Sequence, residues 1–159
     1  MKYQHTFHVD APISAVFDFH QQPAALQAIT PPPLRVRLDP GPLRLGEGDE
    51  MAFVLLLGLL PIRWQARIQD VTPTGFTDCQ IAGPFSMWEH RHIFTQHGTG
   101  TLITDQIQAS FKPGFLPGMV GRMMWLGLPV LFAFRGWKTR RILSSSRPVR
   151  RSLIQADRG

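Results

Sequence analysis

The sequence predicts an α+β domain: seven antiparallel strands, two short helices between the first and second strand, and one long C-terminal helix. Three observations predict it. Apolar and polar residues alternate with period two through most of residues 34–111. Gly and Pro punctuate the joins between alternating segments, so consecutive strands fall into hairpins. Beyond residue 115 the alternation stops and a long, Met-rich apolar run begins.

Residues 2–9 alternate, with Tyr3, His5, Phe7 and Val9 on one face and Gln4, Thr6 and His8 on the other. Next, Ile13, Val16 and Phe17 stand at helical spacing behind Asp10-Ala11-Pro12. A helix over 12–20 is expected, with Asp10 as N-cap and Pro12 in the first turn. Pro23 opens a second helix to about Ile29. The run Thr30-Pro31-Pro32-Pro33 ends it, because prolines lack the N–H and bias the preceding residue toward extended geometry.

Strands are then expected at 34–38, 50–58, 61–71, 75–82, 87–96 and 99–111. In the segment 61–71, Ile62, Trp64, Ala66 and Ile68 face one way and Arg63, Gln65, Arg67 and Gln69 the other. The final run, 115–144, has the length of a membrane span and one charge, Arg122, between 115 and 134. Its Gly and Pro content fits a single wide-faced helix packed on a sheet better. Pro129 is expected to kink or interrupt it.

At 159 residues the chain is one domain, 1–146, followed by a basic tail, 147–159, expected to be disordered. Residues 1–134 hold 9 basic and 10 acidic side chains, whereas 135–159 hold 8 and 1. The body is therefore near neutral and the net charge of +6 sits at the C-terminus. No nucleic-acid partner is expected, since no basic face crosses the fold. Weak contact of the basic end with an anionic membrane stays open. One cysteine, Cys79, excludes an internal disulfide and a cysteine zinc cluster. With no apolar run of signal-peptide length in residues 1–12, a cytoplasmic location is expected. Oligomeric state is not legible.

Candidate chemistry lies with the histidines. His8 and His97 fall on an outward face or in a loop, and His20 ends a helix, where a cation suits the dipole. Outward Glu89 and Arg91 place Trp88, His90, His92 and Phe94 inward. An inward His-x-His can bind metal. Two ligands are too few and the sequence places no third, so no metal is expected. Nor does any motif call for a cofactor. Closing the last hairpin around Gly98-Thr99 sets His92 opposite Asp105 and Phe94 opposite Ile103. Closing the preceding one around Gly83–Phe85 sets Cys79 opposite His90 and Thr77 opposite His92. Thr77, Cys79, His90, His92 and Asp105 are then expected to form one polar island. Within it, Asp105 either orients His92 as a general base or polar anchor, or the pair satisfies itself and ties two strands together. A Cys79–His90 nucleophilic dyad lacks an oxyanion site and any strong depressor of the thiol pKa.

The element order and the stretches VDAPISAVFDFH (9–20), TPPPLRV (30–36), GPFSMWEHRHIF (83–94), GTLITDQI (100–107) and FAFRGWKTRRI (132–142) resemble the SRPBCC superfamily of START, Bet v 1 and polyketide-cyclase-like proteins. Within it, the chain is similar to the bacterial ligand-binding SRPBCC proteins over residues 1–143. The resemblance implies a helix-grip fold, a curved sheet around the long helix with a cavity between them. It implies a small hydrophobic ligand of lipid, polyketide or aromatic type. It carries over no catalytic signature, and a cyclase/dehydratase-type enzyme using His92 and Asp105 is the alternative. Besides the polar island, the expected cavity walls are Phe7, Phe53, Leu55, Trp64, Ile68, Trp88, Phe94, Ile107, Met119, Met123 and Met124.

Overall fold

Period-two alternation lets every strand turn its apolar side toward one interior, and the chain folds on that rule. The computed structural model describes residues 1–145. It contains β1 (Lys2–Val9), α1 (Ile13–His20), α2 (Pro23–Ala28), β2 (Leu34–Leu38), β3 (Glu50–Leu57), β4 (Leu60–Thr72), β5 (Gly75–Ala82), β6 (Phe85–His97), β7 (Gly100–Phe111) and α3 (Phe115–Ser145). The strands form one antiparallel seven-stranded sheet in the order β1-β7-β6-β5-β4-β3-β2. β1 closes against β7, so the first and last strands are neighbours. The curled sheet and α3 make the helix-grip fold.

The β6–β7 register is the expected one. His97 pairs with Gly100 across a two-residue turn in which Gly98 has a φ of 58°, and the ladder runs unbroken to His92 opposite Asp105. The β5–β6 register differs by one residue. Asp78 lies opposite His90 and Phe76 opposite His92, while Thr77 and Cys79 pair with outward Arg91 and Glu89. The ladder stops at Cys79–Glu89 and does not reach the turn. Beyond it the Gln80 side chain replaces strand pairing, donating to the Phe85 carbonyl (2.8 Å) and accepting from its N–H (3.3 Å). Counting back from the turn therefore fails. Thr77 is nonetheless buried, since its hydroxyl donates to Asp70 (3.2 Å) at a bulge of β4 where Asp70 has a φ of 54°.

Two further expectations are corrected. Pro12, not Asp10, is the N-cap of α1, with no side-chain capping bond. α3 continues through Pro129 without interruption. The expected tail, 147–159, lies outside the described residues. Among those residues, no helix is long and apolar enough to cross a membrane.

The interior has two parts. One lies under α1 and joins Phe7, Val9, Val16, Ile68, Phe76, Phe94, Ile103 and Leu143. The other lies under the middle of α3 and joins Trp64, Ala66, Phe85, Trp88, Ile107, Leu128 and Phe132.

Candidate functional site

A cavity of about 280 Å³ opens between α3 and strands β2–β6, with Leu26 of α2 at its rim. Its walls are nearly all apolar. Phe53 and Leu55 come from β3, Trp64 from β4, Trp88 and His90 from β6, and Met123 and Met124 from α3; six are expected wall residues and His90 is from the expected polar island. Met51, Ile62, Leu128, Leu131 and Phe132 add to them. Trp64 and Trp88 meet edge to face at 5.2 Å in the wall.

The other expected wall residues lie elsewhere. Phe7, Ile68 and Phe94 belong to the packed core under α1, where α1 inserts Phe17 and Phe19. Ile107 is buried in the sheet beneath Phe132 but does not reach the cavity. Met119, one turn before Met123 on α3, is 47% exposed and does not line the cavity. Thr77 and Cys79 are on the outer face of the sheet, and burial, then nearby Glu89, raises the Cys79 thiol pKa. A Cys79–His90 dyad is thus ruled out by strand direction.

At the edge of the cavity lies a polar cluster of Asp78, His90, His92 and Asp105, of which Asp78 and His90 line the wall. His90 Nδ1 is 3.1 Å from Asp78 Oδ2 and its Nε2 3.1 Å from Asp105 Oδ1. His92 Nε2 is 3.4 Å from Asp78 Oδ2 and its Nδ1 2.9 Å from Asp105 Oδ1. The four side chains are 6–18% exposed. Only the His90 Nε2–Asp105 contact has hydrogen-bond alignment; His92 Nδ1 is buried without an aligned partner. The two imidazoles lie 4.0 Å apart between the two carboxylates.

Burial opposes charge on each of these groups, and the opposite charges overcome it. Burial alone would lower His90, but Asp78 and Asp105 push its pKa up to about 9. Burial alone would raise Asp105 and Asp78, but the two histidines hold both carboxyls well below the usual carboxylate range. His90 is therefore an imidazolium at neutral pH, with both ring N–H groups turned to the two carboxylates at the wall of the apolar cavity. His92, the expected base, is not among the wall residues; it packs on Phe76 (4.4 Å) and His20 (5.6 Å).

Sequence reasoning misses three participants. The turn-based register sets Asp78 outward; placing Phe76, the large apolar residue of β5, inward brings Asp78 in with it. His20 does more than end a helix. It is buried, with its Nδ1 2.8 Å from the Val16 carbonyl, and burial followed by the neighbouring His92 pulls its pKa down to about 4. Arg135 stands apart from the other charges of the basic end. It lines the cavity with its guanidinium 5.2 Å from the Phe132 ring, and its Nε is buried without a hydrogen-bond partner. Burial lowers its pKa, against the pull of Asp105 and Asp78.

A curled sheet around a long helix, with an apolar cavity between them, defines a helix-grip protein of the SRPBCC type. The chain belongs to the family described as polyketide cyclase/dehydrase and lipid transport, whose model matches residues 9–125. Binding of hydrophobic molecules is the general property of that family. Crystal structures that share the fold include the following three. Protein Ms6760 from Mycobacterium smegmatis is 15% identical over 92% of each chain, with a TM-score of 0.68. TTHA0849 from Thermus thermophilus is 14% identical over 92% of this chain and 100% of that one, TM-score 0.68. NE0264 from Nitrosomonas europaea is 14% identical over 91% and 95%, TM-score 0.67. At these identities the likeness is one of fold. No curated protein matches the chain.

Proposed function

We propose that the protein binds a compact hydrophobic molecule in the cavity between sheet and α3, with one oxygen-bearing group turned toward Arg135. The apolar cavity carries this reading. At about 280 Å³ it sits at the lower end of the roughly 300–1,000 Å³ range of small-molecule sites, which favours an aromatic polyketide or a short-chain lipid over a diacyl lipid. A guanidinium at the wall with an unsatisfied Nε favours an acidic or carbonyl head. The cyclase-type alternative with His92 as base loses ground, because His92 is not a wall residue.

Titration with medium-chain fatty acids and aromatic acids, followed by tryptophan emission of Trp64 and Trp88, tests the reading. Micromolar binding is expected, weakened about tenfold by Arg135→Gln for the free acid but not for its methyl ester, the loss of one charged hydrogen bond. If no probe in such a set perturbs emission or melting temperature, the reading is wrong.

A second observation favours exchange of the ligand at an anionic membrane. Leu116, Met119, Met123, Leu126, Val130 and Trp137 form an exposed apolar stripe on α3. The helix carries Arg122, Arg135, Lys138, Arg140 and Arg141 and no acidic residue. An apolar stripe with only positive charge is the signature of a helix that lies in a membrane interface. The protein should float with phosphatidylglycerol-containing vesicles and not with pure phosphatidylcholine, and Leu126→Asp should abolish flotation. Absence of flotation with the anionic vesicles would exclude this mode of exchange.

A further inference from the structure

We propose that Asp78, His90 and His92 form a site for one divalent first-row transition-metal ion, held by two imidazole nitrogens and one carboxylate oxygen at the edge of the cavity. One donor atom from each of the three residues lies within 4.8 Å of the others. The two edges measured to Asp78 Oδ2 are 3.1 and 3.4 Å. Donors spaced tetrahedrally around an ion at its usual 2.0–2.2 Å would be roughly 3.3–3.6 Å apart, close to these two edges, and the third edge is under 4.8 Å.

The second carboxylate strengthens the assignment. Asp105 Oδ1 is hydrogen-bonded to His90 Nε2 at 3.1 Å and lies 2.9 Å from His92 Nδ1 without hydrogen-bond alignment. That leaves His90 Nδ1 and His92 Nε2 both turned to Asp78. A carboxylate hydrogen-bonded behind a ligating histidine fixes the ring and raises its basicity, and Asp105 does so for His90. The donors stand on adjacent strands in paired register, a rigid platform, with Asp78 directly opposite His90.

Two imidazoles and one carboxylate fill three positions of such an ion. Because Asp78 and His90 are wall residues, the fourth position opens toward the cavity, where water or a ligand oxygen fits. This inference stands apart from the ligand reading. It needs no organic ligand, and the ligand test needs no ion, so either fails without the other.

The experiment uses the full chain, treated with chelator and titrated with Co²⁺ and Zn²⁺. One ion per chain is expected, with visible ligand-field absorption for Co²⁺. Asp78→Asn and His92→Ala should each weaken binding at least tenfold, and Asp105→Asn about 10–100-fold with stoichiometry kept. The pair of half-buried His8 and exposed His97, with ring centres 5.2 Å apart, is the competing surface site. In the unsubstituted protein labelled with ¹⁵N-histidine, Zn²⁺ should shift the His90 and His92 resonances and leave His8 and His97 in place. That readout does not depend on any variant folding. Absence of stoichiometric binding, or shifts confined to His8 and His97, overturns the proposal.

Discussion

The two ends of the interior obey opposite rules. Under α1 the concave face is filled: Phe17, Phe76 and Phe94 meet edge to face at 6.3–6.4 Å, and Val16 and Ile103 have no exposed surface. Under the middle of α3 the same sheet is left hollow. There the helix offers Gly127, Met123 and Met124 where the other end receives aromatic rings. The sheet alone does not decide which part becomes a core and which a cavity; the covering helix does. The polar cluster sits where the two ends meet, with His92 against the filled side and His90 against the hollow one.

The largest expected effect compares one truncation at each end. Phe94→Ala removes a 1%-exposed ring enclosed by Phe17, Phe76, His20 and His92, and should cost about 3–5 kcal/mol. Leu131→Ala removes a half-buried wall residue whose side chain already faces empty space. No new void forms, and a cost of about 1 kcal/mol is expected. Urea denaturation of both variants checks this. Equal losses would mean that the hollow end closes in solution.

An intermediate effect separates the two buried histidines by pH. The folded pKa of His90, about 9, lies above its unfolded value of 6.5. Its stabilisation is complete below pH 6.5 and fades as pH rises through 9. His20 runs the other way: folded at about 4 and unfolded at 6.5, it withdraws stability as pH falls from 6.5 toward 4. Both carboxyls, lowered by folding, add to the loss on the acid side. Stability should therefore peak near pH 6.5. Asp105→Asn should cost about 3 kcal/mol at pH 6, where it strands a buried imidazolium, and about 1 kcal/mol or less at pH 9.5. Urea titrations at the two pH values measure the difference, and an equal loss would mean that His90 is neutral throughout.

How far the sequence reaches depends on how continuous each ladder is. β6 and β7 pair right up to the Gly98-Thr99 turn, so counting from the turn finds His92 opposite Asp105. β5 and β6 do not, because Gln80 takes over the Phe85 backbone, and the same counting brings in Thr77 and Cys79 in place of Asp78. Strand identity is legible because alternation is local. The division into filled and hollow ends is not, because it rests on how far α1 and α3 stand from the sheet. Phe7, Ile68 and Phe94 point inward as alternation demands, yet alternation carries no information on what meets them there.

The smallest expected effect compares two glycines on one helix. Replacing a mid-helix glycine by alanine gains about 0.5–1 kcal/mol from backbone entropy alone, so any difference between the two sites reports their surroundings. At Gly127, over the cavity, an added Cβ meets nothing within 4 Å. Gly127→Ala should realise the full gain, about 0.5–1 kcal/mol. At Gly136, over the filled end, the same Cβ comes 3.1 Å from Phe7 Cγ, 3.2 Å from Phe7 Cδ1 and 3.4 Å from His5 Nε2. Phe7 is 5% exposed and packed within the aromatic core, and Arg140 lies over its ring, so it has little room to retreat. There the clash should cancel the gain and leave a net loss of about 1 kcal/mol, the low end of overpacking costs. Thermal denaturation of the two variants resolves the sign. A gain at both positions would mean that the filled end yields as readily as the hollow one, and that α3 rather than the aromatic core moves to accept a new side chain.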